Sequence, residues 1–137
     1  MANELLHKDL TDQILKAFYK VYNTLGSGFL EKVYENALAH RLRKHGLTVE
    51  QQFPLNVLDE DGTLLGNYFA DLYVENCLIV ELKAVRTVAD EHVAQILGYL
   101  RSSRIETGLL INFGGQKLYV KKYLMSLHPV EPQNVIE

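Results

Sequence analysis

Two short runs, Ala70 to Val74 and Leu78 to Leu82, carry an apolar side chain at every second position on either side of a three-residue gap, and this constrains the fold more than any other segment. Side chains alternate between faces along a strand, so Ala70, Leu72 and Val74 share one face, as do Leu78, Val80 and Leu82. Burying both apolar faces together sets Val74 against Leu78, Leu72 against Val80 and Ala70 against Leu82. That register calls for a three-residue connection over Glu75–Cys77, or a bulge. A two-residue turn at Glu75-Asn76 would slip it by one. In the same register Asp71 falls directly opposite Glu81.

Like charges facing each other across a sheet are destabilising. At ~4 Å and an effective dielectric near 20 the repulsion is on the order of 4 kcal/mol. A cation between the acids would reverse its sign. Glu81 and Lys83 leave the same strand face, one residue apart. A carboxylate pair beside a lysine suits metal-assisted hydrolysis of a phosphodiester: the acids hold a hard divalent cation and the ammonium steadies developing negative charge. Glu-x-Lys by itself is common on solvated strands, so its weight comes from its surroundings.

The rest of the chain supplies those surroundings. Leu10, Ile14, Phe18, Val21 and Leu25 recur at helical spacing, and Gly26 is placed to stop that helix. A second helix carries Leu30, Val33, Tyr34, Ala37, Leu38 and Leu42 on its stripe, with Ser27 or Gly28 as cap and Gly46 as stop. Leu47 to Leu58, interrupted by Pro54, reads as an edge or bent strand, and Asp59 to Gly62 as a turn. Strands follow around Tyr68 to Val74 and Leu78 to Val85, then a helix from Asp90 to Arg101. Gly108 to Phe113 and Leu118 to Tyr123 close the set, separated by a turn at Gly114-Gly115. The first three strands form an antiparallel meander, and the helix after them can cross over to place Gly108–Phe113 parallel to the third. One domain over residues 1–125 is expected, with 126–137 as a loose tail.

Composition excludes several classes. With 137 residues and 47% hydrophobic content the chain can bury a core unaided. Cys77 is the only cysteine, which excludes an internal disulfide and a cysteine-based zinc site and favours a reducing, cytoplasmic setting. No basic-then-apolar leader opens the chain and no apolar run approaches the ~20 residues of a membrane span, so no membrane partner is expected. A formal net charge of −3 argues against indiscriminate nucleic-acid binding and leaves that role to a local basic patch.

Gly28-Phe29-Leu30-Glu31-Lys32-Val33-Tyr34, then Asp71, then Glu81-Leu82-Lys83, then His92-Val93-Ala94-Gln95 with Tyr99-Leu100 stand in the order of a known family. Together they resemble the PD-(D/E)XK nuclease superfamily, in particular its small GxxExxY group, over Gly26 to Tyr123. Ala70, rather than proline, precedes Asp71. The resemblance implies an α/β fold with a mixed sheet: a restriction-endonuclease-like αβββαβ core, here with an extra N-terminal helix and a C-terminal strand. It implies a nucleic-acid partner and a divalent metal, magnesium with manganese as substitute. Asp71, Glu81, the backbone carbonyl of Leu82 and Glu31 would be its ligands. Lys83 would orient or deprotonate the attacking water, or stabilise the transition state, and Gln95 would position water or a phosphate oxygen. Paired subunits are one way for a small nuclease to span a duplex, so the resemblance also allows a homodimer.

Plainer readings stand beside these. Glu31 and Tyr34 share a helix face, as would a solvated acid beside a half-buried tyrosine. Gly28 more simply starts a helix, and Lys83 could screen Glu81. His92, Gln95 and Tyr99 form one polar stripe, from which Gln95 is the chosen candidate. Arg41, Arg43, Lys44 and His45 suit a helix C-terminus, and Lys117, Lys121 and Lys122 suit a solvated edge. Three functions follow: a metal-dependent nuclease, a non-catalytic nucleic-acid-binding or assembly module, and a hydrolase of small phosphorylated molecules. The last lacks any glycine-rich phosphate cradle.

Overall fold

The computed structural model, which describes residues 7–125 and the backbone of 133–136, pairs Leu72 with Val80 and Val74 with Leu78. The two runs are strands β2 (Leu64–Val74) and β3 (Leu78–Lys83) of a hairpin. Its three-residue connection places Glu75 and Asn76 at φ of 53° and 56°, and the Cys77 N–H closes it on the Val74 carbonyl at 3.1 Å. The expected register holds over these pairs, while the expected Ala70–Leu82 and Asp71–Glu81 pairs are not part of the ladder.

Before the hairpin come α1 (Lys8–Leu25), α2 (Glu31–Lys44) and β1 (Val49–Leu58); after it come α3 (Asp90–Ser103), β4 (Thr107–Asn112), β5 (Tyr119–Leu124) and β6 (Gln133–Ile136). The strands form one sheet in chain order, antiparallel at every step except β3–β4, which is parallel. The α3 crossover accounts for that exception. This mixed α+β architecture is consistent with a restriction-endonuclease-like fold.

Two cores sandwich the sheet. On one face α1 and α2 bury Ile14, Phe18, Tyr34 and Leu38 against Leu72, Val80 and Leu109. On the other, α3 sets Ile96, Tyr99 and Leu100 against Ile79, Leu110 and Tyr123. Strand β4 is buried at every residue, as befits a strand covered on both sides. Gly108 lets α3 approach closely: a Cβ there would lie 3.0 Å from Ile96 Cδ1 and 3.2 Å from Leu100 Cδ2.

Several expectations change. The buried stripe of α2 is Tyr34, Glu35, Leu38, Ala39 and Leu42, while Leu30 and Val33 are exposed. Its N-cap is Leu30, extended and without a side-chain cap, rather than Ser27 or Gly28. Lys122 is no solvated edge residue. It is buried opposite Leu109 on the sheet face that α1 covers, within electrostatic range of Asp12, and β6 extends the sheet beyond β5. Residues 133–136, read as part of a loose tail, pair antiparallel with β5; residues 126–132 and 137 lie outside the described residues. Among the described residues no helix is long and apolar enough to cross a membrane.

Candidate active site

The β2–β3 ladder ends early. Its last pair is Leu72 with Val80; beyond it β2 continues beside β1 and β3 continues beside β4. The strands part at Asp71 and Glu81, and side chains take over from the ladder. The Asp71 N–H donates to Glu81 Oε2 at 2.9 Å, and the Leu82 N–H donates to Asp71 Oδ2 at 2.8 Å. Backbone groups that would be orphaned by the fork are thereby satisfied.

The fork is electrostatically unusual. Glu81 is 3% exposed, and burial pushes its carboxyl up to about 8. The Asp71 charge adds to the rise, the Asp71 N–H and then Lys83 oppose it, and Glu31 adds slightly. Asp71 is also raised, chiefly by burial, against the opposing hydrogen bonds from Leu82 and Gln52; the charges of Glu35 and Glu31 add to it. A buried and a half-buried acid with one nearby ammonium leave negative charge uncompensated whenever both ionise.

Two residues of this site escaped the sequence reading. Gln52 has φ 53°, a left-handed conformation inside a strand. Consecutive strand residues normally point to opposite faces. Here both Gln51 and Gln52 reach α2: their amide nitrogens donate to Glu35 at 2.7 and 2.9 Å, and Gln52 also donates to Asp71 Oδ1 at 3.3 Å. Lys32 adds an ion pair to Glu35 at 3.0 Å. Glu35, 3% exposed, is therefore a buried carboxylate linked to Asp71 through one amide. The turnover at Gln52 also switches faces. Val49 packs in the α1/α2 core, whereas Phe53, Leu55 and Ala70 pack on the α3 side. Ala70 thus leaves the face it was expected to share with Leu72 and Val74. Glu35 had a signal, since it falls in line with Leu38 and Leu42 on the buried stripe; Gln52 had none.

The remaining candidates converge from both helix layers. Glu31, in the first turn of α2, accepts the Ala84 N–H at 3.2 Å, just past β3. Lys83 donates to Gln95 Oε1 on α3 at 3.3 Å. Tyr34 plays a structural part, since its hydroxyl donates to the Gly26 carbonyl at 2.6 Å and accepts the Phe29 N–H at 3.3 Å. Its ring stacks on Phe113 at 4.3 Å. Together with Gly28 at φ 107°, it fixes the turn that launches Glu31. His92 caps α3, its Nδ1 accepting the Ala89 N–H at 3.0 Å. Buried Tyr99 lies close enough to Glu81 and Asp71 that their charges add to burial in pushing its phenol up to about 12.

The segment leaving β3 is braced by Asn112, a further residue the sequence did not single out. Its Oδ1 accepts the Val85 and Gly114 N–H groups at 3.0 and 3.1 Å, and its Nδ2 donates to the Val85 carbonyl at 2.8 Å. Gly114 crosses so closely that a Cβ would lie 2.6 Å from Ala84 C and Val85 N. Of the basic cluster on α2, Arg43 is committed to the Val49 carbonyl and Gln51.

Among the described residues no group of three or more histidine, cysteine, aspartate or glutamate side chains could hold a metal ion. The donors that face one another are Asp71 and Glu81, both hard oxygen ligands. Magnesium is commonly held by one or two carboxylates, with water and substrate phosphates completing its octahedron. The mutually repelling pair, Glu81 buried and Asp71 half-buried, fits such a cation in both donor type and charge.

Comparison with known proteins agrees with this geometry. The family model of the PD-(D/E)XK nuclease superfamily matches residues 8–123. No curated protein matches the chain. A solved structure described as "Crystal structure of SSO0001" has the same fold, with TM-score 0.51 at 15% identity. The alignment covers 88% of this chain but only 60% of that one, and it speaks to fold alone. The superfamily match takes in both helix layers, the fork that carries the acids and the parallel strand beside it, and on that ground the chain belongs to the PD-(D/E)XK nuclease superfamily.

Proposed function

We propose that this protein is a metal-dependent nuclease of the GxxExxY group, hydrolysing phosphodiester bonds of DNA or RNA. The observation that carries the proposal is the pairing of buried Glu81 with half-buried Asp71 at a strand fork, with Lys83 on the same strand, within this superfamily. Asp71, Glu81 and the Leu82 carbonyl would hold magnesium or manganese, with Glu31 adding a carboxylate from α2. The cation would activate water and neutralise charge on the phosphate. Lys83, steered by its bond to Gln95, would hold its ammonium against the negative charge developing on phosphate oxygens. Gln95 would position the water or a phosphate oxygen. Gln52 and Glu35 would set the orientation of Asp71 from behind.

The test is a cleavage panel of labelled single- and double-stranded DNA and RNA in magnesium and in manganese. Cleavage is expected from the native protein, none from Glu81→Ala, and roughly 10²–10³-fold less from Lys83→Met. Undiminished cleavage by purified Glu81→Ala protein would overturn the proposal.

A second reading is a non-catalytic nucleic-acid-binding or assembly module on the same fold. It is favoured by the engagement of Glu31 with the Ala84 N–H and of Glu35 with Gln51 and Gln52, which leaves a pair rather than a cluster of three acids. Magnesium decides between the readings. A cation bound to the native state raises the melting temperature; no rise together with no cleavage selects the module.

A further inference from the structure

We infer that the cleft between the β1–β2 hairpin and α3 binds a single strand of nucleic acid and leads it to the acid pair. The inference deepens the nuclease reading and rests on it for what happens at the end of the cleft, while the binding itself is independent of cleavage.

The cleft is a product of the same strand fork. Residues 64–70 of β2 pair with β1 but not with β3, so this part of the hairpin projects beyond the sheet beside α3. Between them lies a concavity of about 940 Å³. This is near the top of the range for enclosed small-ligand sites, roughly 300–1,000 Å³, and suits a short stretch of single strand. Gln95 and Tyr99 are among its lining residues. Gln95 holds Lys83, and Tyr99 senses the charges of Glu81 and Asp71, so the cleft opens onto the candidate active site.

Its walls carry different chemistry. On the hairpin side Tyr68 is 48% exposed, its ring 5.1 Å from that of Tyr99. On the helix side Arg101 and Arg104 line the cleft, and among the described residues neither side chain is engaged in a hydrogen bond or ion pair. Arg101 follows Gln95 by six residues, about 9 Å along the helix axis. Gly98 lies between them, and a Cβ there would meet nothing within 4 Å, so the floor is open. Asp59 and Glu60 stand at the hairpin tip and repel phosphate from that wall. The charges thus confine the backbone to the α3 side and leave the bases facing Tyr68.

That arrangement selects unpaired bases. The exposed tyrosine face is useful to a base whose own face is free, and in a duplex those faces are occupied by neighbouring base pairs. Stacking on an aromatic side chain together with nearby cations is the general chemistry of single-strand recognition. The net charge of −3 supplies no broad positive field to hold a duplex by its phosphates.

The test is fluorescence anisotropy of the native protein in EDTA, where cleavage is off, with short labelled oligo-dT, oligo-rU and a duplex of the same length. At least one single strand should bind about tenfold or more tighter than the duplex, and the two arms separate DNA from RNA. Tyr68→Ala and Arg101→Glu should each weaken that binding about tenfold. Gly98→Leu, which fills the open floor of a helix that tolerates leucine, should weaken it similarly with the melting temperature kept or raised. Duplex binding equal to single-strand binding, or unchanged affinity in both Tyr68→Ala and Gly98→Leu, overturns the inference. Retained single-strand binding without any cleavage in magnesium would instead overturn the nuclease reading and leave the cleft standing.

Discussion

The carboxylate of Glu81 accepts the backbone N–H of Asp71 at 2.9 Å, at the first position past the last β2–β3 pair. Strands that part must leave N–H groups behind, and a buried unpaired donor costs about 1–3 kcal/mol. Here the acids themselves accept the freed donors, since Asp71 in turn accepts the Leu82 N–H. The topology that opens the fork and the residues that would perform chemistry in it are therefore one arrangement: β2 leaves for β1, β3 for β4, and the acids occupy the wedge.

Stability without metal should depend on pH through Glu81. Its carboxyl rises from 4.5 unfolded to about 8 folded. Between those values the native state holds a proton that the unfolded chain releases, so stability falls as pH rises from about 4.5 and levels off above about 8. The total change is on the order of a few kcal/mol. Thermal melts in EDTA from pH 5 to pH 9 should show this decline in the native protein and much less of it in Glu81→Gln. Equal slopes in the two proteins would mean that Glu81 is not the titrating group. Added magnesium should stabilise the native protein more at pH 8 than at pH 5.5, because at the lower pH the cation must displace the proton.

How much of this was legible depends on what each residue's neighbours reveal. The β2–β3 register followed from alternation across a three-residue gap, and the placement of Asp71 beside Glu81 followed from the register. The parallel β4 followed from the helix that precedes it. The turnover at Gln52 did not follow, because Val49, Gln51, Phe53, Leu55 and Val57 alternate in sequence just as an unturned strand would. Its effect is visible only once Val49 and Phe53 are seen packing into different cores. Glu35 was masked by residue type, a glutamate on a helix reading as solvated although its position is on the buried stripe. The burial of Lys122 required knowing that its side of β5 faces the layer of α1, opposite Leu109.

Gln52 separates two contributions that substitution can resolve. Gln52→Ala removes the amide from Glu35 and Asp71 and keeps a Cβ in the left-handed region at φ 53°. Gln52→Gly removes the same amide but relieves the backbone, where the left-handed conformation costs a non-glycine residue roughly 1–2 kcal/mol. Urea titrations should show both variants destabilised, with Gln52→Ala the less stable by about 1 kcal/mol. Identical midpoints would show that the strained backbone carries no free energy.

Gly114 and Gly98 should respond oppositely to the same added methyl group. A Cβ at Gly114 would press to 2.6 Å from backbone atoms of Ala84 and Val85, which have no flexible side chain to yield. Gly114→Ala should cost about 1–3 kcal/mol and displace the segment after Lys83 that Glu31 and Asn112 hold. Gly98 lies within α3 with open space around it, so Gly98→Ala should gain about 0.5–1 kcal/mol from helix propensity. Parallel denaturant melts check both signs, and a stabilised Gly114→Ala would show that the crossing is looser than its distances state.

Tyr34→Phe should separate the architecture of the motif from its chemistry. The substitution keeps the ring stacked on Phe113 and removes only the hydroxyl that binds Gly26 and Phe29. The Gly26 carbonyl then loses its 2.6 Å donor beneath the turn that leads into α2. A loss of about 1–2 kcal/mol in stability is expected. Glu31 sits one turn before Tyr34 and depends on that connection for its reach to Ala84. Any loss of cleavage should therefore exceed the loss of folded protein, and hydrogen exchange should speed up at the Phe29 and Ala84 amides. Unchanged stability with abolished cleavage would assign Tyr34 to the chemistry instead, because a residue that serves only to hold a turn cannot stop a reaction without loosening the turn.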